Sequence, residues 1–108
     1  MNYEISGKVI KGDGYGRKLG FPTANLETKD ALPPIGVYSG IGILEGKEYR
    51  AGILINPNGK VEAHLIYYNG DAYGKKMTLE IGEFIRDYKK FENEDKLKNQ
   101  IAEDLKKC

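Results

Sequence analysis

Short apolar runs, each cut off by glycine, proline or asparagine after a handful of residues, leave this chain little choice but a β-fold. Tyr3 to Ile10 is the first run, and it enters the glycine-rich stretch Gly12-Asp13-Gly14-Tyr15-Gly16-Arg17-Lys18-Leu19-Gly20. Phe21 to Leu26 follows; Pro22 biases the residue before it away from helix, so the segment is expected to be extended. Leu32-Pro33-Pro34 breaks the chain before Gly36 to Leu44, and Glu45-Gly46-Lys47-Glu48 reads as a hairpin turn into Tyr49 to Ile55. Asn56-Pro57-Asn58-Gly59 is a second turn, with Val61 to Tyr68 as the next strand. Asn69-Gly70-Asp71 is a third turn, before a last strand from Lys76 to Ile81. Strands this closely spaced, joined by hairpins, predict a mostly antiparallel closed barrel or sandwich. Closure would also remove the unpaired edges that invite aggregation.

The period changes at the end. Leu97, Ile101 and Leu105 recur every four residues, so Asn93 to Lys107 is predicted to be an amphipathic helix. Asn93 is placed to cap it, Glu94 and Asp95 suit the positive end of its dipole, and Lys106 and Lys107 the negative end. Its simplest role is a structural lid packed across the core.

Composition narrows the function. The 108 residues suit one domain spanning 1–108, large enough to bury a core without staples. Lysine plus arginine number 17 against 16 aspartate plus glutamate, so no large basic field recruits nucleic acid or membrane. The one cysteine, Cys108, rules out an internal disulfide. No charged, apolar leader and no apolar run of membrane-spanning length is present, so a cytoplasmic protein is expected.

Four groups of residues could carry chemistry. In the loop from Gly12 to Gly20, glycine lets the backbone turn tightly and aim N–H groups at phosphate oxygens, with Arg17 and Lys18 adding charge; an ordinary hairpin loop would read the same way. The stretch lacks the lysine-serine/threonine ending of a P-loop. Thr23 and Asn25 stand two apart and share a face in extended chain, where a hydroxyl and an amide oxygen would suit Mg²⁺ if phosphates supplied the negative charge. The same residues also serve turns and caps. Glu62 could be a general base with a desolvated carboxyl, or a solvated strand residue; His64, on its face, has no assigned role. Arg86, one of three arginines, could read phosphate or a planar ring, or pair on the surface with Asp87 or Glu83. No serine–histidine–aspartate triad or zinc spacing can be assembled.

Taken together, the segments resemble the riboflavin kinase family, including the C-terminal module of bacterial bifunctional FAD synthetases. The likeness runs through Gly7-Lys8-Val9-Ile10-Lys11-Gly12, Gly16-Arg17-Lys18-Leu19-Gly20-Phe21-Pro22-Thr23-Ala24-Asn25 and Gly36-Val37-Tyr38. It continues in Val61-Glu62-Ala63-His64-Leu65, Asp71-Ala72-Tyr73-Gly74-Lys75, Phe84-Ile85-Arg86-Asp87, Lys90-Phe91 and Leu97…Gln100-Ile101…Asp104, covering nearly the whole chain. The resemblance implies a six-stranded antiparallel Greek-key barrel, closed, with the terminal helix packed on it. It implies transfer of the γ-phosphate of ATP to riboflavin, yielding FMN and ADP. Thr23 and Asn25 would hold Mg²⁺ and Glu62 would be the catalytic base. Gly14, Gly16, Arg17 and Lys18 would cover the nucleotide phosphates, with Pro22 and Tyr73 near the nucleotide and Arg86 near the flavin.

Two departures from the family are visible. The loop Ile55 to Lys60 is shorter than usual, and Asp87-Tyr88 replaces the usual acidic pattern after the arginine. The adenylyltransferase module of the bifunctional enzymes has no counterpart in these residues, so no FAD synthesis is expected. A monomer with no nucleic-acid or membrane partner is expected. The competing readings are a flavin- or nucleotide-binding barrel without turnover, and an oligonucleotide-binding barrel using its tyrosines as stacking platforms.

Overall fold

Every predicted apolar run becomes a strand, and alternation along each strand decides which side chains meet. The computed structural model describes residues 3–10, 20–68, 70 and 72–108. Within them lie β1 (Tyr3–Ile10), β2 (Ala24–Glu27), β3 (Gly36–Leu44), β4 (Lys47–Ile55), β5 (Val61–Leu65), β6 (Lys76–Arg86) and the helix α1 (Glu94–Lys106). The strands close into a barrel in the order β1-β2-β5-β4-β3-β6, with every pairing antiparallel. The run β3-β4-β5, with β6 returning beside β3, is a Greek key.

Ile5, Leu44, Ile53, Ile55, Val61, Met77, Leu79 and Ile81 point inward and are fully buried. Each such side chain contributes about 1.5–3 kcal/mol relative to exposure. In β5, Val61, Ala63 and Leu65 face this core while Glu62 and His64, between them, face outward. A period of two thus puts chemistry on one face and packing on the other.

The turns follow their residues. Glu45 (φ 52°) and Gly46 (φ 77°) both take the left-handed conformation that a two-residue type I′ hairpin requires. Between β4 and β5, Asn56 N–H donates to the Lys60 carbonyl at 2.9 Å and Lys60 N–H to Asn58 Oδ1 at 3.0 Å, closing the short connection into a tight turn.

Three expectations need correction. The strand that opens at Val61 ends at Leu65, not Tyr68, because the chain turns at Ile66 and Tyr67, the latter at φ 65°. The last strand runs on past Ile81 to Arg86; its final turn pairs with β3 through two register shifts, at Val37/Tyr38 and Tyr38/Gly40. Such irregularities bend a strand and re-aim its end. The helix forms as predicted, with Asn93 Oδ1 accepting from Lys96 N–H at 2.9 Å, but it does not seal the core. Leu97, Ile101 and Leu105 are only half-buried, and Asp104 is the one buried residue of the helix. Gly52 on β4 allows the close approach: a Cβ there would stand 2.9 Å from Leu105 Cδ2. Among the described residues, no helix is long and apolar enough to cross a membrane.

Candidate active site

Strand register brings three of the predicted residues together. β2 lies between β1 and β5, and Asn25 sits opposite Ile10 on one side and Glu62 on the other. Directly opposed residues on one face of an antiparallel pair have Cβ atoms about 4.5–5.5 Å apart, so Asn25 and Glu62 are neighbours. Thr23, two residues earlier, donates from Oγ1 to Glu62 Oε1 at 3.3 Å. Pro22 keeps this lead-in out of the ladder, and its carbonyl accepts a 2.7 Å hydrogen bond from His64 Nδ1, which must therefore carry the proton. The His64 ring also meets Phe21 edge-on, with centroids 6.0 Å apart. His64, unassigned from sequence, anchors the Phe21–Thr23 segment.

A cleft of about 410 Å³ opens beside these residues, on the outside of the barrel. Phe21, Thr23, Leu54, Glu62 and His64 form one wall; residues 88–91 and the Leu97, Ile101 and Leu105 stripe of α1 form the other. The helix is thus a cleft wall more than a core lid. The volume is in the range of sites for drug-sized ligands, and a mainly apolar lining with a few convergent polar groups is what such sites present.

At the far end Arg86 leaves the bent tip of β6 and meets Asp104. Arg86 Nε donates to both carboxylate oxygens at 2.9 and 3.0 Å, and Nη2 donates to Oδ2 at 2.8 Å. Arg86 Nη1 donates to the Asp87 carbonyl at 3.1 Å, and the guanidinium lies 5.6 Å from the Phe91 ring centroid. Gln100 Nε2 adds a 2.9 Å bond to Asp104 Oδ1. Of the alternatives open for Arg86, a surface pair with Asp87 or Glu83 is not the one formed: it makes this largely buried ion pair with the helix. Beneath it, burial pushes the Cys108 thiol up, with the Asp104 charge adding to the rise and Arg50 opposing it.

Thr23, Glu62 and Arg86 therefore line one cleft, with Asn25 beside Glu62 in register. Tyr73 lies in a neighbouring turn, fixed where Gly74 N–H donates to the Val9 carbonyl at 2.8 Å and Val9 N–H to Lys75 O at 2.9 Å; it does not line the cleft. Gly14, Gly16, Arg17 and Lys18 lie outside the described residues. Asp104 escaped assignment to the site, although its spacing of four from Gln100 put both on one helix face.

The geometry can be set beside known proteins. A flavokinase family model, described as riboflavin kinase, matches residues 1–108. The bifunctional riboflavin kinase/FMN adenylyltransferase of Escherichia coli K12 is 33% identical over 115 residues, covering 94% of this chain and 36% of that protein. The chain thus spans little more than a third of that relative's length. The crystal structure of a protein titled macrolide-efflux protein, from Streptococcus pneumoniae, superposes with a TM-score of 0.86 at 30% identity, over 95% of this chain and 37% of that one. Riboflavin kinase from Trypanosoma brucei shares the fold, with a TM-score of 0.71 at 23% identity over 97% and 76% of the two chains. With a family match along its whole length, this chain belongs to the riboflavin kinase family.

Proposed function

We propose that this chain is a riboflavin kinase that transfers the γ-phosphate of ATP to the ribityl 5′-hydroxyl of riboflavin, giving FMN and ADP. The observation that carries this reading is the convergence of Glu62 and Thr23 in the lining of a cleft large enough for a flavin ring, with Asn25 beside Glu62 in register. Family membership supports the same reaction.

Glu62 accepts the proton of the 5′-hydroxyl as that oxygen attacks the γ-phosphorus; a P–O bond forms and the bond to the ADP oxygen breaks. A positioned base of this kind contributes about 10²–10⁴-fold, and holding the two substrates in line contributes more. Thr23 Oγ1 can steady the carboxylate through the 3.3 Å bond already present. His64 fixes the backbone that carries Thr23. Phe21, Phe91 and the α1 stripe offer apolar surface to the ring system.

Thr23 and Asn25 fit Mg²⁺ chemically: both offer neutral oxygens, Thr23 just before β2 and Asn25 within it, and phosphates would supply the negative charge. Bound there, the ion would neutralise charge on phosphate oxygens. Gly14, Gly16, Arg17 and Lys18 are assigned to the nucleotide phosphates, Pro22 and Tyr73 to the nucleotide, and Arg86 to the flavin. The nearly balanced charge favours a protein without a nucleic-acid partner, the closed barrel favours a monomer, and dependence on ATP favours the cytoplasm.

Incubation with riboflavin, ATP and Mg²⁺, followed by chromatography of the flavins, tests the reading. FMN and ADP should appear in equal amounts. Folded protein that binds flavin yet makes no FMN with any nucleoside triphosphate or divalent metal would overturn it in favour of a binding module.

A further inference from the structure

We propose that Asp104 sets the charge preference of the cleft: by neutralising Arg86 it lets the cleft hold a neutral flavin and disfavours the phosphorylated, anionic one. The inference rests on the flavin reading of the cleft given above.

Arg86 has five N–H donors. Three are directed at Asp104 or the Asp87 carbonyl, through Nε, Nη2 and Nη1, which leaves one on each terminal nitrogen. Those two can still donate to a ring carbonyl. What they cannot offer is a net positive charge, because Asp104 is paired with the same guanidinium and is only 5% exposed. Gln100 holds the carboxylate in place from within the helix. The arrangement keeps hydrogen-bonding capacity and removes charge.

The other charged groups on the cleft do not do this. Lys89 and Lys90 are exposed, so solvent and salt screen them, and Glu62 stands at the other end. Arg86 is the sheltered cation, with its side chain 22% exposed. Counting Lys89, Lys90 and Arg86 against Glu62 and Asp104, the cleft carries one positive charge with His64 neutral; removing Asp104's charge would make it two. A flavin phosphate carries about −1.5 to −2 at neutral pH and would sit at the Glu62 end, three strand spacings of about 4.8 Å from Arg86, so one uncompensated charge there would favour it over riboflavin by about two- to threefold at low salt. Asp104 touches no substrate in this scheme. It acts through Arg86 as a positioning residue that determines specificity, and the consequence is easier release of product.

The test is the ratio of the dissociation constants of riboflavin and FMN, read by flavin fluorescence at low and high salt. Because both flavins share the ring, loss of a ring contact cancels in the ratio. Asp104→Asn should tighten FMN relative to riboflavin by about two- to threefold at low salt, an effect that high salt erases. Arg86→Gln, which leaves the carboxylate uncompensated, should move the ratio the other way. The double variant Arg86→Gln/Asp104→Asn should return it near the wild-type value, a rescue that a purely structural role for Asp104 would not give. If Asp104→Asn does not fold, Arg86→Gln and the double variant decide the matter alone. An unchanged ratio in the folded variants would overturn the proposal while leaving the kinase reading standing. A wild-type chain that binds neither flavin would overturn the flavin reading and this proposal together.

Discussion

The two ends of the cleft are built by different means. At the Glu62 end, Asn25 and Glu62 are set by adjacent strands of a closed sheet, where backbone hydrogen bonds position both side chains, and Thr23 is held beside them by the His64–Pro22 bond. The Arg86/Asp104 end depends on the side chains themselves, since one ion pair joins the bent tip of β6 to a helix whose apolar stripe is only half-buried. The first end can afford residues chosen for chemistry. At the second, the residues that line the cleft also hold its wall in place, so a change there should alter stability along with the cleft, as it should not at the other.

That contrast can be broken by experiment. Glu62→Gln should lower turnover by about 10²–10⁴-fold, with flavin binding retained and the denaturation midpoint almost unmoved. A fully active variant would remove Glu62 from its role, and a large loss of stability would remove the distinction between the two ends. Asp104→Ala should do the opposite: stranding the Arg86 charge should cost about 3–5 kcal/mol in urea denaturation, and a loss below about 1 kcal/mol would mean that the ion pair does not hold the helix. Asn93→Ala removes only the cap of α1 and should cost about 1 kcal/mol, with hydrogen exchange accelerated in the helix but not in β2 or β5. Equal acceleration in the strands would show that wall and barrel open as one unit.

The smallest effect concerns Tyr38, which lies under the bend of β6, edge-on to Phe84 at 5.3 Å and donating to the Pro34 carbonyl at 2.6 Å. Burial, and to a lesser degree Tyr3, raises its hydroxyl above the usual 10.0. A folded-state value above the unfolded one favours the native state below about pH 10, and that contribution is lost as pH rises through the raised value. Tyr38→Phe should therefore flatten the alkaline decline in stability, and an identical decline would assign it to other groups.

What could be read in advance follows the same division. Glycine- and proline-marked turns delimited the strands, and the two-residue spacing of Thr23 and Asn25 was visible because strand geometry is local. Their meeting with Glu62 needs the register of β2 on β5, which alternation alone does not give; family resemblance implies the three act together but not how the strands align them. The end of β5 was misread because Ile66 to Tyr68 continue a β-branched and aromatic pattern, while the backbone turns at Tyr67. The extension of β6 to Arg86 carries it through the bulged pairing with β3, which the apolar run ending at Ile81 does not announce. Arg86 and Asp104 are 18 residues apart, and nothing in either neighbourhood selects the other over Asp87 or Glu83; only the helix's placement on β4 does.

The alternation in β5 has a consequence for folding fidelity. A slip of one residue against β2 or β4 would carry Glu62 and His64 into the barrel and turn Val61, Ala63 and Leu65 out to water. Two errors would then arise at once, a carboxylate stranded in hydrocarbon and a core emptied of its filling, and neither could be relieved without undoing the other. Molecules that close the barrel one residue out of register are therefore unstable. Against slips of one residue the strand acts as its own proofreader, because the residues that fill the barrel and those that face the cleft cannot exchange places without loss of both.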